Sequence, residues 1–79
     1  MANLNSNYQD MPPYFKAGVI YRQRVEGQRF GQAVFNTASY YWPQEVRPLA
    51  GSIHDPFHND AKVEDFLNVV LERVTNPGI

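Results

Sequence analysis

The chain reads as a small all-α protein: a bundle of three main helices plus one short helix, with a pinned loop before the last helix. Three observations predict this. Val63, Phe66, Leu67, Val70, Leu71 and Val74 fall at i, i+3, i+4, i+7, i+8 and i+11, an unbroken apolar stripe at helical spacing. No stretch of useful length alternates apolar and polar residues as a half-buried strand does. Proline and glycine sit between the periodic segments, at Pro12-Pro13, Gly27, Pro43, Gly51 and Pro56, where helices start and stop.

Taken in order, residues 1–10 are polar and Asn-rich and read as a flexible tail, leaving 11–79 as a single helical domain. Asp10 is placed to cap a first helix over about 12–26, with the two prolines in its first turn. Tyr14, Ala17, Gly18, Tyr21 and Val25 form an apolar stripe along it, and Phe15 and Val19 form a second stripe beside the first. A helix apolar over so much of its circumference is packed on two sides or offers one to a partner. Gly27 ends it. A second helix is expected over 28–41, with Phe30, Val34, Ala38 and Tyr41 on one face, and is stopped by Pro43. Pro43 opens a short helix to about residue 50. Ser52 to Asn59 is a loop, Asp55-Pro56 enforces extended backbone, and Asp60 caps the last helix over about 60–75. The predicted core is Tyr21, Val25, Phe30, Val34, Phe35, Phe57, Val63, Phe66, Leu67, Val70 and Leu71.

Composition narrows the function classes. With 79 residues and no cysteine, there is one domain with neither disulfide nor thiolate metal site to staple it. Aromatic residues make up 14% of the chain, so large side chains supply either core or subunit interface, and a homodimer is one way so small a domain gains stability. The net charge of −1 fits neither a nucleic-acid-coating protein nor a DNA mimic. Cations concentrate early (Lys16, Arg22, Arg24 and Arg29, against Glu26) and acids late (Glu45, Asp55, Asp60, Glu64, Asp65 and Glu72), which suggests charge pairing between the first and last helices. The N-terminal residues lack the charge and apolar run of a signal peptide, and no apolar stretch approaches the ~20 residues of a membrane span; a soluble, cytoplasmic protein is expected.

Chemistry-bearing residues are sparse. His54, Asp55, His58 and Asp60 resemble metal ligands by type, but Pro56 prevents the helix that would put the two histidines on one face, so no metal and no cofactor are expected. Thr37, Ser39 and Ser52 occupy no nucleophile elbow, and Glu64 and Asp65 are adjacent helical positions that point apart; no enzyme activity and no catalytic residue are expected. Arg29, Gln32 and Asn36 lie along one edge of the second helix beside apolar residues, and buried amides need partners. Either they lock the Asp55-Pro56-Phe57 loop to the helix, with Arg29 or the amides holding Asp55, or they line a recognition groove with His54. Tyr40, Tyr41 and Trp42 cannot all face inward, so Tyr40 and Trp42 are candidate contact residues.

The pattern Arg29-x-Gly31-Gln32-x-x-Phe35-Asn36, followed by Gly51, Asp55-Pro56-Phe57 and Asp60, resembles a group of short uncharacterised proteins from bacteria and their phages. The resemblance covers about residues 20–75. It implies no activity or ligand, but it implies a small intracellular protein carried on phage or other mobile DNA, of a kind that acts by binding a host protein. The expected function is therefore a non-enzymatic protein-binding module, engaging through Tyr40 and Trp42 or through the outer stripe of the first helix. The alternative is a nucleic-acid-associated accessory protein using Lys16, Arg22, Arg24 and Arg29, although these do not share one helical face at ~100° per residue.

Overall fold

A computed structural model describes residues 7–76. Among them the chain forms four helices and no strand: α1 (Pro13–Arg24), α2 (Phe30–Tyr41), α3 (Pro43–Val46) and α4 (Val63–Thr75). The all-α bundle is as the periodicity predicts, with tighter boundaries. The short helix expected to residue 50 is α only to Val46 and continues as a 3-10 turn, Arg47–Leu49, because Pro48 has no N–H for an α-type bond. The last helix likewise begins as a 3-10 turn, Asp60–Lys62, capped by Asn59, whose Oδ1 accepts from the Ala61 N–H at 3.0 Å. Asp60, expected to be that cap, points elsewhere.

Asp10 does not cap α1 either. Pro12 holds the N-cap position with no side-chain bond, and prolines at the helix start remove donors that would otherwise need a partner. Residues 7–10, expected to belong to the tail, form a turn bonded to α4, while residues 1–6 lie outside the described residues. The Tyr8 N–H and the Asn7 N–H both donate to the Glu64 carboxylate, and Asn7 Nδ2 donates to the Glu64 carbonyl at 3.1 Å. The Tyr8 ring meets Phe30 edge-on at 4.9 Å, and this burial pushes the Tyr8 hydroxyl pKa above its ordinary value. At the far end of α1, Gly27 takes φ +70°, the left-handed conformation that terminates the helix and lets the Gln28 N–H reach the Arg22 carbonyl at 3.0 Å.

Helix α2 is the centre of the bundle, packing on α1, on α3 and on the turn that precedes α4. Phe15 and Val19 from α1, Ala33, Val34 and Ala38 from α2, Val46 and Leu49, and Val63, Phe66, Leu67 and Val70 from α4 close one continuous core with Met11. The inward face of α1 is thus the Phe15–Val19 stripe. Tyr21 and Val25, expected in the core, are more than half exposed, a rotation of roughly 100° from the expected face. Phe30, Phe35, Phe57 and Leu71 pack at the margins of the core and are partly covered.

Gly18 lets α1 approach α2 closely, since a Cβ there would sit 3.1 Å from Thr37 Cγ2. The buried Thr37 hydroxyl donates to the Ala33 carbonyl at 2.7 Å and accepts from Arg22 Nη1 at 3.3 Å. Charge pairing between the first and last helices is not what joins them. Lys16 donates to the Gln9 carbonyl, Arg22 to Gly18 and Thr37, and Arg29 to the Phe57 carbonyl. Lys16, Arg22 and Arg29 bind backbone and hydroxyl oxygens; among the described residues the side-chain contact that a carboxylate makes with a basic residue is Asp65 with His54. Among those residues, too, no helix is long and apolar enough to cross a membrane.

The corrected face of α1 makes a stability contrast. Phe66→Ala removes a fully buried ring and should cost about 3–5 kcal/mol. Tyr21→Ser, measured at submicromolar protein concentration, should change the stability of the single chain by no more than about 0.5 kcal/mol, as an exposed substitution does. Urea denaturation of both variants checks it.

Candidate functional site

The two sequence elements around Gly31 and Pro56 meet at the N-terminus of α2. A helix start leaves backbone N–H groups without intrahelical acceptors, and α2 has no acidic residue in its first turn to serve them. The acceptor comes from across the fold: Asp60 Oδ1 takes the Gly31 N–H at 2.8 Å. Gln32 Oε1 accepts from the Arg29 N–H at 3.4 Å, the return half of a capping box. Arg29 Nη2 donates to the Phe57 carbonyl at 2.7 Å, and Asn36 Nδ2 to Gln28 Oε1 at 3.1 Å.

Only a glycine fits between these partners. A Cβ at residue 31 would lie 2.2 Å from the Pro56 carbonyl oxygen and 2.8 Å from Asp60 Oδ1. The loop is pinned, but not by the expected pair. Asp55 accepts from the Gly51 N–H and, at 2.8 Å, from the Phe57 N–H, so it closes its own turn instead of meeting Arg29, Gln32 or Asn36. Asp60 makes the long-range contact. Pro56 is fully buried, and Phe35 packs edge-on against Phe57 at 5.8 Å and beside Phe66 at 5.6 Å.

The candidate contact residues therefore separate. Arg29, Gln32, Asn36 and Asp55 each hold an internal bond, and His54 Nδ1 bonds the Asp65 carboxylate, tying the loop to α4. His58 is exposed beside the Phe57 ring. Among the described residues no three of His, Cys, Asp and Glu are grouped so as to hold a metal ion. Trp42 is half-covered, stacked on Phe15 at 5.7 Å, and belongs to the edge of the core. Tyr40, by contrast, is 71% exposed.

Around Tyr40 lies a surface that the sequence pattern divided in two. Tyr40 meets Tyr41 edge-on at 4.9 Å, and Tyr41 meets Tyr14 of α1 at 5.0 Å. From Tyr14 the outer stripe of α1 continues through Ala17 to Tyr21 and Val25, which are 53% and 64% exposed. The end of α2 and the outer stripe of α1 are one aromatic face. Tyr21 and Val25, expected in the core, lie on this surface, because two adjacent apolar stripes on one helix give no ground for choosing which turns inward. A depression lined by Val69, Glu72, Arg73 and Asn76 is open to solvent. No known protein family, curated protein or solved structure matches the chain.

The lock predicts two responses. Gly31→Ala gains at most about 1 kcal/mol of helix propensity, but it must displace the Pro56 carbonyl and the Asp60 side chain. A net loss of about 2 kcal/mol is expected from that overpacking. Asp60→Ala removes a cap and should cost about 1–2 kcal/mol, and the double variant should lose less than the sum, because both changes break one contact. Chemical denaturation of the three variants measures this.

Proposed function

We propose that the protein is a non-enzymatic protein-binding module whose working surface is the aromatic face of α1 and the end of α2. One observation carries the reading: Tyr14, Tyr41 and Tyr40 touch in a chain of edge-to-face rings and remain open to solvent, continuous with Tyr21 and Val25. The largest apolar patch on a monomeric protein is often a functional one, and tyrosines are enriched where protein surfaces meet, since they bury large area at little entropic cost. The polar motif supports the same reading by its occupation. Arg29 and Asp55 hold the loop, Gln32 closes the start of α2 and Asn36 bonds Gln28, which leaves the aromatic face as the feature without a structural task.

A host protein as the partner, and a phage or mobile-element origin, rest on the motif resemblance. The nucleic-acid alternative gains less support, since Lys16, Arg22 and Arg29 are bonded to acceptors inside the chain. Filter binding over a salt series would revive it if association were strong at low salt and fell steeply as salt rose.

The test compares the wild-type chain with a Tyr14→Ser/Tyr40→Ser double variant, both immobilised and exposed to lysate of the native host. Proteins retained by wild type should be lost from the variant, with the two chains melting at the same temperature. Equal retention by both would overturn the aromatic face as the working surface.

A further inference from the structure

We propose that the occupant of this face is a second copy of the chain, docked through α1 antiparallel to its own α1 about a two-fold axis near the middle of the helix. The inference rests on the aromatic face being a protein-binding surface and names what covers it.

The spacing of the exposed residues is self-complementary. Large residues stand at Tyr14, Tyr21 and Val25, with the exposed Ala17 as the small position between them, while Gly18 is taken up against Thr37 of α2. Reversing α1 about a point between Val19 and Ile20 sets Tyr14 opposite Val25 of the second copy, and Tyr21 beside Ala17 of the second copy. Each large side chain then meets a small or complementary one, and the match repeats by symmetry, as an isologous contact requires. A parallel arrangement fails, because it would set Tyr14 on Tyr14 and Arg24 on Arg24.

Area and charge agree. Tyr14, Tyr21, Val25, Tyr40 and Tyr41 expose together roughly 500 Å², given the exposed fraction of each and roughly 150–250 Å² for a whole aromatic side chain. Two copies bring at most about twice that, and with the flanking Ala17, Ile20 and Arg24 the upper limit passes the roughly 1,200 Å² at which stable interfaces begin. Helix α1 carries Lys16, Arg22 and Arg24 with no acid, so self-association has to keep like charges apart. In the antiparallel pair the two Arg24 residues are displaced by about 13 Å along the helix axis alone, beyond the screening length of about 8 Å at physiological salt. Arg22 is turned inward to Thr37, and Lys16 is tied to Gln9.

Sedimentation equilibrium of the full chain from about 1 to about 200 µM should show the mass doubling, with a dissociation constant on the order of micromolar. Tyr21→Asp should weaken association more than about tenfold while leaving the helical circular dichroism unchanged. A mixed sample of isotope-labelled and unlabelled chains adds a signature independent of any variant. Residues 14 and 25 are about 16 Å apart along their own helix, so Overhauser contacts between the Tyr14 ring and Val25 methyls arise only between copies. A wild-type chain that stays monomeric throughout, or a dimer lacking those contacts or indifferent to Tyr21→Asp, would overturn the second copy as occupant. A monomer that still captures host proteins through Tyr14 and Tyr40 would leave the protein-binding reading standing with another occupant.

Discussion

The contact between the Gly31 backbone and the Pro56–Asp60 segment is the constraint on which the other arrangements depend. It solves two problems with one geometry. Helix α2 begins without an acidic residue of its own, so its free N–H groups and positive dipole end need an acceptor, and Asp60 supplies one from a distant part of the chain. The loop in turn needs a fixed path into α4, and the absence of a Cβ at residue 31 lets the Pro56 carbonyl lie against the helix. Arg29 binds the next carbonyl along, that of Phe57. Glu64 and Asn7 then bring the N-terminal turn to the same corner, where Tyr8 covers Phe30. Three segments far apart in sequence thus converge on the first turn of one helix.

With α2 fixed, the placement of α1 follows. Gly18 and Thr37 allow the close crossing, Arg22 is drawn inward to the threonine hydroxyl, and Phe15 and Val19 enter the core. That orientation leaves Tyr14, Tyr21 and Val25 outside and brings Tyr14 to Tyr41. The proposed working surface is therefore a by-product of how α1 seats on α2, and the polar motif contributes to it by fixing the start of α2 to the loop.

The amphipathic α4, the stop at Pro43 and the turn at Gly27 were legible because each depends on local chemistry: one clean stripe, one missing N–H, one left-handed residue. The face of α1 was not, since its apolar residues are spread almost evenly around the helix and burial is decided by what α2 presents. The lock was legible in kind but not in partner. Of the polar edge of α2 only Arg29 reaches the loop, Gln32 and Asn36 bonding Arg29 and Gln28, and choosing between Asp55 and Asp60 requires knowing that Asp55 closes its own turn. The union of Tyr40 with the α1 stripe is a tertiary fact that no helical periodicity contains.

Amide hydrogen exchange at Gly31 tests the central claim most directly. The second residue of a helix ordinarily has no intrahelical acceptor and exchanges readily. Held by Asp60 beneath the Pro56 loop, the Gly31 amide should instead be protected nearly as well as the core amides of α2 and open only with global unfolding. Exchange of Gly31 as fast as the amide of the exposed His58 would contradict the account, because the joint between α2 and the loop would then be loose in solution.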